Sequence, residues 1–323
     1  MKHVDGGLLV FALLLFLHES LQQTCPPAPS HLSLASTPCG LSNLARDGAT
    51  DVEARQLSAA SPNWFVRAWN GFLSVLAGGL RQGDPLIING APASISEAPF
   101  MAHLSVDFSS GTSSSCSASI IGDQWILTAA HCITRAGNKG TTLASKVTVR
   151  VGNADRTAGS GISSTSFKYH SNFDRSNLRK GYDIALIRLP TSLAFGPTVQ
   201  PICYPTSDDL GTAAAACDKK AYGWGVLSIK DYLKRRTSRT LQKLDVTVSD
   251  RAARDCSAVD GIHVCVWGTP SSSGPCNGDS GGPLVVRYGD QAYEAGLLSG
   301  SVSTKDKCTG RFYYTRTSAF ADW

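Results

Sequence analysis

The segment that most constrains this chain is a glycine-rich octet near its C-terminal end, Cys276 to Pro283, which reads Cys-Asn-Gly-Asp-Ser-Gly-Gly-Pro. Glycines on both sides of Ser280 predict a tight turn in which backbone N–H groups can converge on a substrate oxygen. A serine hydroxyl is a weak nucleophile unless a base removes its proton, so a histidine and an orienting carboxylate must lie elsewhere in the chain. The octet therefore points to a fold that brings three distant side chains together.

A histidine and an aspartate occur upstream in suitable contexts. His131 stands in Leu-Thr-Ala-Ala-His-Cys, and Asp183 precedes an apolar run, Ile-Ala-Leu-Ile-Arg-Leu. Taken singly, the histidine is equally acceptable as a structural or surface residue, and the aspartate as a turn residue at a strand end. The order His131, Asp183, Ser280 and the three contexts together resemble the chymotrypsin/trypsin-like serine peptidase family over residues 87–323.

The resemblance implies an all-β fold of two antiparallel six-stranded Greek-key β-barrels with the active site between them. The first barrel would supply the histidine and the acid, and the second the serine. A content of 42% hydrophobic residues with 31 glycines suits a packed, turn-rich β core. Short β-branched or apolar runs between Gly, Ser and Asp turns independently favour strands; they are Val147–Val151, Ile184–Leu189, Leu244–Val248 and Pro283–Val286.

The resemblance also assigns catalytic roles. His131 would be the general base toward Ser280, with Asp183 orienting the imidazole, and the N–H groups of Gly278 and Ser280 would form the oxyanion hole. Ser299 matches the family serine that hydrogen-bonds the triad acid. We expect a secreted serine endopeptidase that works through an acyl-enzyme. The alternative is a catalytically silent homologue that binds a partner, although no triad residue is missing.

The residues aligned with the primary specificity pocket depart from the trypsin pattern. Gly274 stands at the pocket base where trypsin-like members carry Asp, so a buried Arg or Lys of the substrate would remain unpaired. Gly300 and Ser301 replace the usual Trp-Gly pair of the wall. Phe312 falls where a glycine keeps the pocket open, which implies a shallow, elastase-like pocket; Gly310 is the alternative match and implies a chymotrypsin-like one. We expect an apolar P1 residue and leave its size open.

The first 86 residues are interpreted as a targeting segment followed by a regulatory segment. The apolar run from Leu8 to Leu17 follows Lys2 and is too short to span a bilayer, so residues 1–22 are interpreted as a signal peptide, with an uncleaved anchor as the alternative. Residues 23–86 are interpreted as a pro-segment. Its residues 64–76 can form a short amphipathic helix, either packed on the enzyme or bound to a membrane surface. The mature protein is expected to be secreted, extracellular and free of the membrane.

The start of the peptidase domain carries an activation signature. Ile87-Ile88-Asn89-Gly90 resembles the first residues of the mature enzymes, so cleavage before Ile87 would free an α-amino group able to pair with a buried Asp279 and to order the oxyanion hole. Leu86 precedes this bond where most relatives carry Arg or Lys. The activator is therefore a chymotrypsin-like enzyme, the protein itself, or a protease that trims after an earlier cut.

Ten cysteines in a chain with a signal peptide predict disulfides. The resemblance implies three of them: Cys116 with Cys132, Cys256 with Cys265, and Cys276 with Cys308. Cys25, Cys39, Cys203 and Cys217 remain, and three pairings of these four are open. Because relatives often bond their pro-segment at the position of Cys203, we expect at least one bridge from Cys25 or Cys39 to the peptidase domain.

No cofactor or metal is expected. Residues 152–166 correspond to the calcium loop of some relatives, but Asp155 is their only acidic residue, and the histidines are too scattered for a zinc site. The net charge of +5 is mild and the basic residues do not interleave with aromatics, which argues against nucleic-acid binding. We expect a monomer whose partners are protein or peptide substrates, proteinaceous inhibitors and an activating protease.

Overall fold

The computed structural model describes residues 39, 88, 90–137, 140–207, 209–234, 236–249, 251–259, 261–289, 291–302 and 308–323. The predicted signal peptide, the pro-segment apart from Cys39, and Ile87 lie outside these residues. In the part of the chain that is described, the helices are too short and too polar to span a bilayer.

The described residues form sixteen strands and four short α-helices. The strands are β1 Ala91–Pro92, β2 Met101–Asp107, β3 Ser113–Ile120, β4 Trp125–Thr128, β5 Thr134–Gly137, β6 Gly140–Leu143, β7 Lys146–Val151, β8 Ile162–Ser164, β9 Ser166–Tyr169, β10 Ala185–Arg188, β11 Asp218–Gly223, β12 Gln242–Ser249, β13 His263–Gly268, β14 Pro283–Tyr288, β15 Gln291–Ser301 and β16 Arg311–Arg316. The helices are α1 Ala130–Ile133, α2 Leu210–Ala215, α3 Ile229–Leu233 and α4 Ala252–Cys256, and 3-10 turns cover Leu178–Lys180 and Thr317–Phe320. Three of the four strands predicted from sequence lie within β7, β12 and β14, and the fourth, Ile184–Leu189, exceeds β10 by one residue at each end.

The first barrel is an antiparallel sheet in the order β8-β7-β2-β3-β4-β10-β9. It has seven strands rather than the expected six because the chain is interrupted at Thr165. This interruption separates β8, which pairs with β7, from β9, which pairs with β10. Ser164 causes the break: its Oγ donates to the Arg188 carbonyl at 2.6 Å and accepts from the Ser166 amide at 3.0 Å, so side-chain bonds replace ladder bonds. Leu104, Val149 and similar apolar side chains fill the interior.

The second barrel closes on itself. Its order is β1-β12-β11-β14-β15-β16-β13, and an additional β12–β13 pairing joins the two ends of six strands, with the two-residue β1 attached at the outside. Strand β12 shows why the sequence forms this surface, since Leu244, Val246 and Val248 are buried while Asp245 between them is exposed. That period of two places one face in the core and the other in water. The predicted two-barrel, all-β fold is confirmed.

A third apolar cluster packs the two barrels together. Phe100 and Met101 at the start of β2 meet Tyr222, Trp224 and Val285 of the second barrel, and all five are buried. The Phe100 and Tyr222 rings cross edge to face with centroids 6.1 Å apart, a favoured aromatic arrangement. The cleft above this interface is therefore formed by side chains from both barrels.

Disulfides tie the loops of the cleft. The structure contains the three pairs that the resemblance implied, Cys116–Cys132, Cys256–Cys265 and Cys276–Cys308. It also joins Cys39 to Cys203 across 164 residues of sequence, and Cys217 is disulfide-bonded as well. The expected bridge from Cys25 or Cys39 to the peptidase domain is thus present at Cys39.

Candidate active site

Strand pairing brings the candidate histidine and aspartate to one end of the first barrel. Strands β4 and β10 are antiparallel, with Thr128 opposite Ala185. The chain that leaves β4 turns into α1, which carries His131, and the chain that enters β10 carries Asp183. A residue that follows one strand and a residue that precedes its antiparallel partner lie at the same end of the strand pair. His131 and Asp183, which are 52 residues apart in sequence, can therefore form a hydrogen bond.

Asp183 is fully buried and accepts three hydrogen bonds. The donors are His131 Nδ1 at 2.7 Å, the His131 backbone N–H at 2.8 Å and Ser299 Oγ at 2.6 Å. Burial alone would raise the pKa of Asp183, but the neighbouring imidazole and these hydrogen bonds lower it below its ordinary value. The carboxylate therefore stays ionised and binds His131 twice, once at the imidazole Nδ1 and once at the backbone N–H.

Ser299 reaches the aspartate because the sheet is irregular there. In the β15–β16 ladder Leu298 pairs with Tyr314 and Gly300 with Tyr313, so Ser299 has no opposite residue and forms a bulge. Bulges redirect a side chain out of the regular alternation. Thr315 Oγ1 adds a bond of 3.1 Å to the Asp183 backbone carbonyl. Sequence reasoning identified Ser299 but missed Thr315, since a threonine within a strand carries no distinctive pattern.

The serine turn is fixed by backbone bonds. The Ser280 carbonyl accepts from the Ser117 amide at 2.9 Å, and the Gly281 amide donates to Leu298 O at 2.9 Å. Gly281 has φ +73°, and a Cβ at this position would lie 2.2 Å from Thr128 Oγ1. Glycine is thus required on both conformational and steric grounds, and the octet folds as a turn clamped between the barrels.

His131 and Ser280 face one cavity of about 460 Å³ at the surface of the cleft. The imidazole is mostly buried, with 14% of its surface exposed. Across the described residues, no hydrogen bond links Ser280 Oγ to His131 Nε2, so the fold brings the two side chains to the same cavity without joining them. Catalytic hydrogen bonds are often long in substrate-free enzymes and tighten when a substrate binds.

Two backbone N–H groups beside the serine are available to a ligand. Gly278 lines the same cavity as Ser280, and within the described chain neither of their N–H groups donates to a protein acceptor. The Asn277 carbonyl accepts from the Val226 amide at 2.9 Å, which turns the Gly278 N–H of that planar peptide away from Val226. Gly278 has φ +102°, a conformation that favours glycine.

Asp279 is buried directly beneath this turn. Its carboxylate accepts from the Gly225 amide at 2.7 Å and the Cys276 amide at 2.8 Å, and burial raises its pKa to about 7 despite these bonds. Among the described residues no cation pairs with it. Ile87, its predicted partner, lies outside the described residues. The next residue, Ile88, packs in a buried cluster with Cys276.

A second, smaller cavity of about 160 Å³ is also lined by Ser280. Of the predicted substrate-binding residues, Ser299, Gly300, Ser301 and Phe312 line it, whereas Gly274 does not. Phe312 is buried, and its ring edge would lie 2.6 Å from a Cβ placed on Gly274, so the ring fills the space above that glycine. Gly310, the alternative match, is not part of the lining.

Two arginines of the larger cavity were not anticipated. Arg175 donates Nη1 to the His131 carbonyl at 2.7 Å, and Arg135 lies in β5. Neither stands in a recognisable pattern, so sequence reasoning had no signal for them. Cys116, His131 and Cys132 place their ligand atoms within 4.8 Å of one another, but the two sulfurs form a disulfide and offer no thiolate to a metal.

Comparisons with known proteins place this geometry in context. The Trypsin family model matches residues 87–323. Brachyurin from Leptuca pugilator is 32% identical over 213 residues, which is 64% of this chain and 85% of that protein. Phenoloxidase-activating factor 3 from Holotrichia diomphalia is 30% identical over 271 residues, 75% of this chain and 72% of that protein. The 1.7 Å structure of HL collagenase superimposes with a TM-score of 0.59 and 26% identity, covering 73% of this chain and 95% of that one.

Proposed function

The chain belongs to the trypsin family and is a serine endopeptidase, and on that premise we propose that Ser280, His131 and Asp183 are its catalytic triad. The observation that carries the proposal is the buried carboxylate: it holds the His131 imidazole at 2.7 Å while that imidazole and Ser280 face one cavity. An isolated buried carboxylate is costly. Its retention here is explained by a cationic imidazolium that forms beside it during the reaction.

The mechanism follows from these positions. His131 Nε2 takes the proton of Ser280 as its Oγ attacks the scissile carbonyl, and then gives that proton to the leaving amine. Asp183 keeps Nδ1 protonated and stabilises the imidazolium. The N–H groups of Gly278 and Ser280 bind the oxyanion, each contributing roughly 3–4 kcal/mol to the stability of the transition state. Water then hydrolyses the acyl-enzyme with His131 again as the base.

The substrate's P1 side chain enters the smaller cavity. With Gly274 below and Phe312 filling the floor, the cavity offers about 160 Å³ and, in the described lining, no carboxylate. A P1 Arg or Lys would lose its hydration without a partner, and a large aromatic side chain would meet the Phe312 ring. The proposed specificity is for small apolar P1 residues, as in elastase-like members of the family.

We also infer that the protein is made as a secreted zymogen. Cleavage before Ile87 would release an α-amino group, which would give Asp279 a cationic partner. The ion pair between them would hold the carboxylate, and hence the Gly278–Ser280 turn, in one position. The burial of Ile88 in a cluster with Cys276 supports this pairing. The Cys39–Cys203 disulfide would keep the pro-segment attached after the cut, which gives a two-chain mature enzyme.

Active-site labelling tests the triad. Residues 82–86 of the precursor are replaced by an enteropeptidase recognition sequence, so that cutting leaves Ile87 as the first residue. The processed protein is then treated with a fluorophosphonate probe and digested, and the labelled peptide is identified by mass spectrometry. We expect labelling of Ser280, its loss in Ser280→Ala and His131→Ala, and no change in Ser163→Ala, an exposed serine of β8. An unlabelled, correctly cut and folded protein would refute the proposed function.

A further inference from the structure

The larger cavity of the cleft carries positive charge on two side chains, one from strand β5 and one from the loop between β9 and β10. Arg135 and Arg175 line it together with His131 and Ser280. Among the described residues of this lining, no aspartate or glutamate occurs. Ser280 thus lines both a smaller, uncharged cavity and a larger, cationic one.

Both guanidinium groups are held in place by neutral partners. Arg135 Nη2 donates to the Ser113 carbonyl at 3.1 Å, and its guanidinium carbon lies 4.6 Å from the centre of the Phe108 ring. Arg175 is half-buried and donates to the His131 carbonyl. Within the described chain neither arginine forms an ion pair. Their positions are therefore fixed while their charges remain uncompensated.

The electrostatic surroundings of Arg175 agree with this geometry. Burial lowers the pKa of Arg175, the buried charge of Asp183 acts in the opposite sense, and the charge of Arg135 lowers it again. The two guanidinium groups are thus close enough to repel each other. The charge of Asp183 offsets part of this repulsion, but its carboxylate is hydrogen-bonded to His131 and Ser299 and forms no ion pair with either arginine.

The chemistry of the reaction decides which half of the substrate meets this cavity. The smaller cavity, with Phe312 as its floor, receives the P1 side chain on the acyl side of the scissile bond. The general acid must touch the leaving nitrogen, and His131 lines only the larger of these two cavities. Residues that follow the scissile bond therefore extend over Arg135 and Arg175.

We propose that the enzyme selects substrates with an aspartate or glutamate at the first or second position after the scissile bond, and that Arg135 and Arg175 are the specificity-determining residues. The inference rests on the proposed catalytic triad. A guanidinium binds a carboxylate through two parallel N–H bonds, and anchored guanidinium groups lose little side-chain freedom in doing so. A cleft lined by one sign of charge also concentrates ligands of the opposite sign.

Acyl transfer measures this preference separately from P1 specificity. The processed enzyme is acylated with an N-acyl-alanine ester, and dipeptide amides compete with water for the acyl group. The amine attacks the acyl carbon, the bond from that carbon to Ser280 Oγ breaks, an amide bond forms, and the amine proton passes through His131 to the serine oxygen. Glu-Ala and Ala-Glu amides are compared with the isosteric Gln-Ala and Ala-Gln amides. We expect at least one glutamate nucleophile to be captured roughly tenfold better than its glutamine match.

Variants assign the effect to the two arginines. In Arg135→Gln and in Arg175→Gln the ratio of glutamate to glutamine capture should fall toward one, and Arg135→Glu should favour lysine nucleophiles instead. Arg188→Gln removes an arginine that stacks on Trp125 away from the cleft, and should leave the ratio unchanged. Added salt should reduce the wild-type ratio, because partly exposed charges are screened.

The outcomes separate this inference from the triad proposal. Ester hydrolysis with equal capture of glutamate and glutamine would overturn the inference alone, as would a ratio that survives in both glutamine variants. Failure to hydrolyse the ester at all would overturn the triad proposal and this inference with it. If Arg175→Gln does not fold, the capture ratio of Arg135→Gln and the salt dependence of the wild-type ratio still test the proposal.

Discussion

Truncation of Phe312 should enlarge the P1 pocket and reverse the preference for small side chains. The ring lies directly above Gly274 and limits the cavity to about 160 Å³. A phenyl side chain buries about 150 Å² or more, and at about 25 cal/mol per Å² its complete burial would be worth about 4 kcal/mol. If the opened pocket buries half of a P1 phenylalanine, binding in the transition state improves by about 2 kcal/mol, which is roughly 30-fold.

The assay compares kcat/KM for peptides that differ only at P1, with alanine, valine, leucine and phenylalanine in turn. Wild-type enzyme should prefer alanine or valine, and Phe312→Ala should raise the ratio of phenylalanine to alanine by roughly 30-fold. Loss of a buried ring costs about 3–5 kcal/mol of folding stability, so the melting temperature must show that the variant is folded at the assay temperature.

Phe100→Ala is the matched control. It removes an equally buried ring from the barrel interface, where Phe100 meets Tyr222, so it should lower stability to a similar degree without altering the P1 ratio. A folded Phe312→Ala enzyme with the wild-type P1 ratio would refute the reasoning, and so would a wild-type enzyme that prefers phenylalanine or cleaves chiefly after arginine and lysine.

Three further predictions concern the triad, the buried acid and the pro-segment. Asp183→Asn should lower kcat by roughly 10⁴-fold at neutral pH, because the amide favours the wrong imidazole tautomer, while fluorophosphonate labelling slows in parallel; an undiminished kcat would contradict the triad. In the uncut chain, burial raises the pKa of Asp279 from 3.8 to about 7, so the folded state holds a proton that the unfolded state has lost. The contribution of Asp279 to stability should therefore be fully present below about pH 4 and be lost, by up to about 4 kcal/mol, as the pH rises to about 7, and urea unfolding of Asp279→Asn should lack this share of the pH dependence. After cleavage before Ile87, electrophoresis should show one band without reductant and two with it, because of the Cys39–Cys203 disulfide; separation without reductant would refute the two-chain form.

The octet and its two upstream companions were sufficient to predict the fold and the residues that meet in the cleft. A catalytic turn needs particular residue types at particular positions, so Ser280, Gly278 and Asp183 leave a readable pattern. Arg175 acts on the site through one hydrogen bond to a backbone carbonyl, a role that requires no neighbouring signature. Such residues become visible only when the fold places them.

The pocket shows a different limit of sequence reasoning. Phe312 and Gly310 were competing matches because the chain differs in length there from its relatives, and an alignment gap can be placed in more than one way. The ladder resolves it, since Phe312 pairs with Ser301 of the pocket wall and Gly310 precedes the strand. The count of strands in the first barrel was likewise beyond prediction, because it depends on which backbone groups the Ser164 hydroxyl captures.

Phe100 and Tyr222 join two barrels that each carry only part of the proposed catalytic site: the first carries His131 and Asp183, and the second carries Ser280 and the bulged Ser299. A small separation of the two barrels at this interface would inactivate the enzyme before either barrel unfolds. Heat, denaturant or a ligand wedged into the interface would then abolish turnover while leaving the circular dichroism of the β-sheets intact.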